Sequence, residues 1–186
     1  KKIEDVESLV KDFLYPLWDL GLKVGYAVRS LKESIVYSEK DQIIKTSMLD
    51  TRLVCGSKKL FNELVINFSK QISKKPITFI DEKINERKNR IKLIGFDYFK
   101  NEPNIKESEG SLRDLNLISW GLKVLDILKK SYGAEQCKFL TKFEKKKIKV
   151  CTEFLLTMRC HLHYESDRLN DKLSFDYQKI ISEKLS

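Results

Sequence analysis

The sequence contains little glycine and proline, with seven and three residues respectively among 186. This scarcity disfavours a turn-rich β-sandwich and favours long helices. No apolar run approaches the roughly 18 residues that a membrane span requires, and the first residues are charged and amphipathic rather than signal-like. These observations predict a globular protein in the cytoplasm, without a membrane partner.

The chain also lacks the usual short signatures of metal and cofactor sites. Its four cysteines form no C-x-x-C pair and no zinc-type spacing, so reduced and mostly buried thiols are expected. His161 and His163 are two positions apart and do not share a helix face, which argues against a bidentate metal site. There is no Walker loop, no G-x-G-x-x-G turn and no zinc-protease signature.

Positive charge is abundant: the formal net charge is +9 and the sequence pI about 9.3. A basic chain can attract nucleic acid, anionic membrane or phosphate-bearing ligands. Lysine is nevertheless spread along the whole length, including the stretches 74–92 and 142–150. We therefore interpret most of the charge as solvated helix surface.

The first 56 residues mix helical and extended patterns. Apolar spacing predicts an amphipathic helix over 3–20, closed by Gly21. Residues 22–30 alternate apolar side chains with the period of a strand. Residues 49–56 suit a short buried strand, although a helix end fits as well. Together these patterns predict a fragmentary α/β piece over 1–56.

Two capping signals lie between the predicted strands. Ser30 and Glu33 form a capping box that opens a short helix over 31–38. Asp41 can cap a second short helix over 42–48.

From residue 57 onward the apolar spacing is helical, and the chain is predicted to be mainly α. An irregular segment over 94–110 interrupts the pattern, and the domain boundary is placed between residues 56 and 57. Helices are predicted from Ser57 onward, from Pro76, and over 111–130, 143–164 and 176–185.

Asp50 is the first candidate functional residue, because it stands among apolar neighbours in SMLDTRLV. A buried carboxylate is costly unless it is paired or bound to metal. Metal-dependent nucleotidyl transfer needs carboxylates that hold divalent ions against a triphosphate. The structural alternatives are an ion pair with Arg52 or a carboxylate at a helix end.

The second candidate is the irregular stretch NEPNIKESEGSLRDLNLISW, residues 101–120. Pro103 holds the residue before it in an extended backbone. Gly110 supplies a flexible point, and Ser111 can cap the helix that follows. A plain linker would not need this order of residue types.

The charges in this stretch suggest an anion site at the helix start. Lys106, Arg113 and Ser111, the residue at which the predicted helix starts, are the candidate nucleotide- or phosphate-binding residues, because free amides and the helix dipole at a helix N-terminus favour a phosphate. Asp114, in the first turn, suits the dipole equally well as a structural residue. From the residues alone, phosphate contact and a structural role both remain open.

EPNIKESEGSLRDLN resembles the motif E-P-N-(I/V/L)-K-(E/S)-x-x-G-G-L-R-D-(I/L) of the bacterial protein-PII uridylyltransferase (GlnD) family. The matched positions include Pro103, Asn104, Gly110 and Asp114. Two further stretches agree, in the same order along the chain. FLYPLWDLGLKVGYAVRSLKE with TSMLDTRLVCGSKKLF resembles the later half of the family's transferase domain, and MRCHLHYESDRLNDKLSFDYQKI resembles its R-x-x-L-H…D-R-L-x-F-D-x-Q segment.

The resemblance implies that 1–56 ends a polymerase-β-like nucleotidyltransferase domain and that 57–186 is the helical domain after it. Family members transfer UMP from UTP to a tyrosine of the PII nitrogen-regulatory protein, with Mg²⁺. They remove it with a separate HD-type domain and sense glutamine through ACT domains. By the same resemblance, Asp50 takes the place of the third carboxylate, as a catalytic residue and metal ligand.

The chain also departs from the family pattern. No D-x-D pair preceded by a Gly-rich turn occurs in it. Ser111 replaces the second glycine of the central motif, which either restricts approach to a phosphate or caps the helix better. One carboxylate cannot assemble a two-metal site, so this polypeptide alone is expected to be inactive and to need a complementary N-terminal fragment.

The alternative hypothesis is a non-catalytic basic helical module that binds a protein or, less favoured, a nucleic acid. Such a module would bind an acidic partner in a salt-dependent way and show no preference for UTP.

Overall fold

The computed structural model describes residues 3–94, 101–133 and 139–185. Within these ranges the chain is helical, and its β structure is an isolated antiparallel bridge between Asn104 and Lys172. The mainly α class is therefore confirmed. The helices are α1 (Ile3–Asp19), α2 (Leu31–Lys40), α3 (Gln42–Leu49), α4 (Lys58–Lys74), α5 (Pro76–Ile94), α6 (Leu112–Tyr132), α7 (Lys142–Ser166) and α8 (Phe175–Leu185).

The strand predictions for 22–30 and 49–56 are wrong for the described structure. Neither segment belongs to a β-ladder, and α3 continues to Leu49 with Asp50 as its C-cap. A strand needs a neighbour that takes up its backbone amides and carbonyls, and the described residues supply none to either segment. The fragmentary α/β piece is accordingly not shown.

The local start and stop signals are confirmed where the sequence placed them. The Ser30 hydroxyl accepts from the Glu33 amide at 3.2 Å, and the Glu33 carboxylate accepts from the Ser30 amide at 2.8 Å. The Asp41 carboxylate accepts from the amides of Ile43 and Ile44 at the start of α3. Gly21 ends α1 with a φ of +75°, the left-handed conformation that glycine adopts most easily.

The first core lies among α2 to α6 and crosses the predicted domain boundary. Partly buried Ile35 of α2 and Met48 and Leu49 of α3 pack against side chains from beyond residue 57. The boundary itself stays a prediction. The buried members of this core are Phe68, Ile72, Phe79 and Val124.

The second core joins α7 and α8 to the irregular segment before α6. Ile105 of that segment is buried with Leu162 of α7 and Ile181 of α8. The segment 101–111 is therefore part of a packed interior.

The three described cysteines, Cys55, Cys151 and Cys160, are exposed and unpaired, which corrects the expectation of mostly buried thiols. The fourth, Cys137, lies outside the described residues. The 25-residue α7 is much longer than α8, which has 11 residues, and it packs against both α6 and α8. Among the described helices, none has both the length and the apolar character needed to cross a membrane.

Candidate functional site

The segment 101–111 is held by its own side chains. The Asn104 side-chain oxygen accepts from the amides of Lys106 at 2.9 Å and Glu107 at 2.8 Å. The Ser108 hydroxyl accepts from the Asn104 amide at 3.0 Å. Such side-chain to backbone bonds fix a turn that no helix or sheet ladder specifies. Asn104 is thus the residue that shapes this loop.

The same loop occupies the amides at the start of α6. The Leu112 amide donates to the Ile105 carbonyl at 3.1 Å, and the Arg113 amide donates to the Lys106 carbonyl at 3.0 Å. The buried Ser111 stands at the N-cap position, yet its hydroxyl donates to the Lys106 carbonyl at 2.7 Å and makes no capping bond. The predicted side-chain cap is therefore corrected. A phosphate at this position would have to rely on side chains.

Asp114 is the acceptor at the centre of the loop. Its carboxylate receives two bonds from Arg87, at 2.9 and 2.8 Å, one from Arg90 at 2.7 Å and one from the Gly110 amide at 3.0 Å. Burial by itself raises the pKa of Asp114, but the bonds from Arg87 and Gly110 and the charges of both arginines outweigh it and lower the pKa. The carboxylate thus ties α5 to the first turn of α6.

Both cations predicted to contact phosphate are paired with Glu107. Arg113 Nε lies 3.3 Å from a Glu107 carboxylate oxygen, and Lys106 Nζ lies 3.7 Å from the same oxygen. Arg90 Nε also contacts Glu107: it lies 3.2 Å from the Glu107 carbonyl oxygen and 3.7 Å from a Glu107 carboxylate oxygen. Lys106 and Arg113 remain partly open to solvent, so phosphate contact stays a prediction. It would require them to exchange Glu107 for the ligand.

A second cluster of charges surrounds Asp171, between α7 and α8. Its carboxylate is bonded by Arg159 Nε at 2.6 Å and His163 Nε2 at 2.9 Å, and Lys106 Nζ lies 3.8 Å away. Burial alone would raise the pKa of Asp171, but the bonds from Arg159 and His163 and the charges of Arg159 and Lys106 lower it overall. Lys106 thereby belongs to both clusters.

Backbone bonds join the loop to this second cluster. The Ile105 amide donates to the Asp171 carbonyl at 2.8 Å, and the Leu173 amide donates to the Pro103 carbonyl at 2.9 Å. The two segments quoted for the family motif, which start more than fifty residues apart in sequence, therefore lie side by side.

Glu102 extends the same junction to α8. Its carboxylate accepts from Lys172 Nζ at 2.7 Å and from the Phe175 amide, the first of α8, at 3.1 Å. These two bonds lower the pKa of Glu102. We call residues 101–114, with Arg87, Arg90, Arg159, His163 and 171–175, the motif joint.

Asp50, at the end of α3, contacts α6 at a place away from the motif joint. Trp120 Nε1 donates to one of its carboxylate oxygens at 2.9 Å, Lys123 Nζ donates to the other, and Lys83 Nζ lies 5.3 Å from the Trp120 ring centroid. Trp120 is nine residues along α6 from Ser111, about 14 Å at the helical rise. Of the two structural alternatives, the helix end is the one observed, since Asp50 closes α3.

The proposed metal role of Asp50 has no further support in the described residues. Across 3–94, 101–133 and 139–185 there is no group of three or more His, Cys, Asp or Glu side chains placed to hold a metal ion. The catalytic and metal roles of Asp50 therefore stay predictions.

Sequence reasoning missed the arginines of the joint. Arg87 and Arg90 lie in the stretch interpreted as solvated surface, but both are half-buried and bonded to Asp114. Their three-residue spacing placed them on one helix face, which was an available signal. Lys83, on the same face, is only 6% exposed. Arg159, His163 and Asp171 stood inside a quoted motif without a role assigned to them.

Comparison with known proteins places the chain among uridylyltransferase sequences. The family model described as GlnD PII-uridylyltransferase matches residues 78–186. A "bifunctional uridylyltransferase/uridylyl-removing enzyme" of Phenylobacterium zucineum (strain HLK1) is 36% identical over 189 residues, covering 100% of this chain and 20% of the relative. One of Azospirillum brasilense is 37% identical over 186 residues, with the same coverage.

A further relative of the same name, from Nitrobacter hamburgensis, is 34% identical over 180 residues, covering 96% of this chain and 19% of its own length. The chain thus spans about a fifth of the length of the curated relatives it matches. No solved structure matches it.

Proposed function

Because the chain belongs to the GlnD PII-uridylyltransferase family, we propose that it forms the helical part of an enzyme that transfers UMP from UTP to a tyrosine of the PII protein. The relatives' names support the uridylyl chemistry. PII as acceptor, Mg²⁺ as the metal ion and a cytoplasmic location belong to the proposal.

The motif joint is the observation that carries this proposal. Two separate segments that resemble the family signature meet through Lys106, Asp171 and the backbone bonds of Ile105 and Leu173. Because the charged groups of the motif joint are mostly paired with one another, the joint contributes to transfer by positioning the helices. Lys106 and Arg113 are the side chains of the joint that we assign to phosphate contact.

We further propose that these 186 residues are inactive on their own. They contain no D-x-D pair after a Gly-rich turn. A two-metal transfer site needs several carboxylates to hold the ions against the triphosphate, and Asp50 supplies one.

The test is a transfer assay with labelled UTP, Mg²⁺ and purified PII. We expect no labelled PII with the chain alone, and labelling when a second polypeptide that carries the Gly-rich turn and D-x-D is added. In that reconstituted mixture, Asp50→Asn should abolish labelling while Asp126→Asn, an exposed residue of α6, leaves it unchanged. Transfer by the isolated chain would refute the inactivity, and full activity of Asp50→Asn would refute its assigned role.

The phosphate contact is tested separately by calorimetric titration with UTP. Lys106→Ala and Arg113→Ala should each weaken binding by about tenfold, the effect of losing one charge-assisted hydrogen bond. Lys58→Ala, at an exposed position of α4, is the matched control. Equal affinities in all variants would show that the joint does not touch the nucleotide.

A further inference from the structure

Helix α7 carries exposed apolar side chains beside those that face the core. Leu155, Met158 and Leu162 pack toward α8. Phe143, Val150 and Phe154 are 65%, 54% and 51% exposed. At 100° per residue the exposed line lies roughly 80° around the helix from the core-facing side chains, so the apolar surface of α7 extends past the part that packs toward α8.

The outward side chains follow the spacing of helix packing. Phe143, Lys147, Val150 and Phe154 recur at alternating steps of four and three residues, which places them along one line of the helix. The line extends about 16 Å at the helical rise of 1.5 Å per residue. The aliphatic part of the Lys147 side chain belongs to this line, and Lys147 Nζ lies 4.7 Å from the Phe143 ring centroid. We call these four residues the α7 seam.

The charge beside the α7 seam is mostly positive. Residues 142–153 contain five lysines and two glutamates, and one of those glutamates, Glu153, pairs with Lys149 at 3.6 Å. All five lysines are exposed. The lysines outside the line lie on its flank away from the core-facing side chains, and such a cationic flank is complementary to an apolar face with an acidic flank.

We propose that the α7 seam binds an acidic amphipathic helix of a protein partner, a function beyond the transfer reaction proposed above. The helix would lay its apolar face on Phe143, Val150 and Phe154 and set its carboxylates beside the lysines. A single-stranded nucleic acid fits this surface less well. The centre of the seam is an aliphatic valine, and Lys147 lies over the Phe143 ring face on which a base would stack.

The test is fluorescence anisotropy of a labelled helical peptide titrated with the 186-residue chain. The peptide has about 18 residues, five helical turns, with leucine on one face and glutamate on both flanks. Its control replaces every glutamate with lysine. We expect binding of the acidic peptide, weakened at least tenfold by raised salt, and no binding of the basic one.

Two variants and one control locate the site. Lys146→Glu with Lys147→Glu, and separately Phe154→Ser, should each weaken peptide binding by about tenfold. Lys58→Glu with Lys59→Glu reverses the same amount of charge on α4 and should leave binding unchanged. All these positions are exposed, so circular dichroism should show unaltered folding.

Absence of peptide binding would overturn the proposal, as would binding that Phe154→Ser leaves intact. Tighter binding of a single-stranded RNA oligonucleotide or of anionic phospholipid vesicles, lost with the lysines but not with Phe154, would also overturn it. None of these outcomes depends on UTP or PII, so failure here leaves the transferase proposal untouched.

Discussion

Arg87 and Asp114 form a two-pronged ion pair between α5 and the first turn of α6, with Nε and Nη2 at 2.9 and 2.8 Å from the two carboxylate oxygens. The planar guanidinium matches the carboxylate in this geometry, which fixes angle as well as distance. Asp114 also stands in the first helical turn, where the dipole of α6 favours negative charge.

Replacing Asp114 should be harmful because its paired carboxylate is largely buried. Asp114→Asn leaves Arg87 and Arg90 without their shared carboxylate and should lower the free energy of unfolding by about 2–3 kcal/mol, at the low end for a broken buried pair because both arginines are partly solvated. Urea unfolding measures the change. Asp126→Asn, exposed on the same helix, should change it by less than about 0.5 kcal/mol. Equal effects of the two variants would contradict the role given to the joint.

Two glycines of the same region should respond in opposite ways to alanine. Gly110 has a φ of +73°, and a methyl group there would meet no atom within 4 Å, so the backbone conformation alone opposes the change. Gly110→Ala should cost about 1–2 kcal/mol of stability. Gly121 lies inside α6, where an added methyl would only touch Ile80 at 3.9 Å, so Gly121→Ala should stabilise by about 0.5–1 kcal/mol. Thermal unfolding of both variants checks the signs.

Acid should destabilise the protein through Asp114, which is buried, and Asp171, which is half-buried. The pKa values of Asp114 and Asp171 are lowered, so both carboxylates stay ionised to lower pH in the folded chain than in the unfolded chain. Their stabilisation is complete above the unfolded pKa of about 3.9 and is lost as the pH falls through the folded values. Urea unfolding at a series of pH values below about 5 should show falling stability. The double variant Asp114→Asn, Asp171→Asn should show a shallower fall, and an unchanged slope would contradict this assignment.

Asp171→Asn should loosen the contact between the loop and α7–α8. The change weakens the bonds from Arg159 and His163 and removes the charge beside Lys106. Hydrogen exchange should then quicken at the Ile105 and Leu173 amides, whose bonds join the two segments, while amides in the middle of α4 keep their rates. The control is Asp176→Asn, which changes an exposed residue in the first turn of α8. Faster exchange of the Ile105 and Leu173 amides in this control variant as well would point to a general destabilisation instead.

Helices were predictable because their signals are local. The capping box of Ser30 and Glu33, the cap at Asp41 and the apolar spacing from residue 57 onward all act within one or two turns. The strand prediction for 22–30 failed because a strand requires more than alternating apolar residues. It also requires a neighbouring backbone to hydrogen-bond with, and sequence spacing does not reveal whether one is present.

The candidate site shows the same division. The motif singled out Lys106, Arg113 and Asp114 together, since they are close in sequence. Local reasoning then treated the α6 amides as free, while the folded loop returns its own Ile105 and Lys106 carbonyls to them. It also assigned the α5 arginines to solvent, because nothing within α5 shows that the start of α6 packs beside it.

By itself the sequence determined the helical class, most helix starts and ends, the family and the choice of residues 101–120 as a candidate functional segment. These depend on composition, short spacing and matched motifs. Only the tertiary structure decided what the charges in that segment do. It brought Arg87, Arg90 and Asp171 from distant positions against the loop, where desolvated carboxylates are stabilised by guanidinium groups and amides rather than by water. Such pairing depends on which helices meet, and this is a property of the packed core.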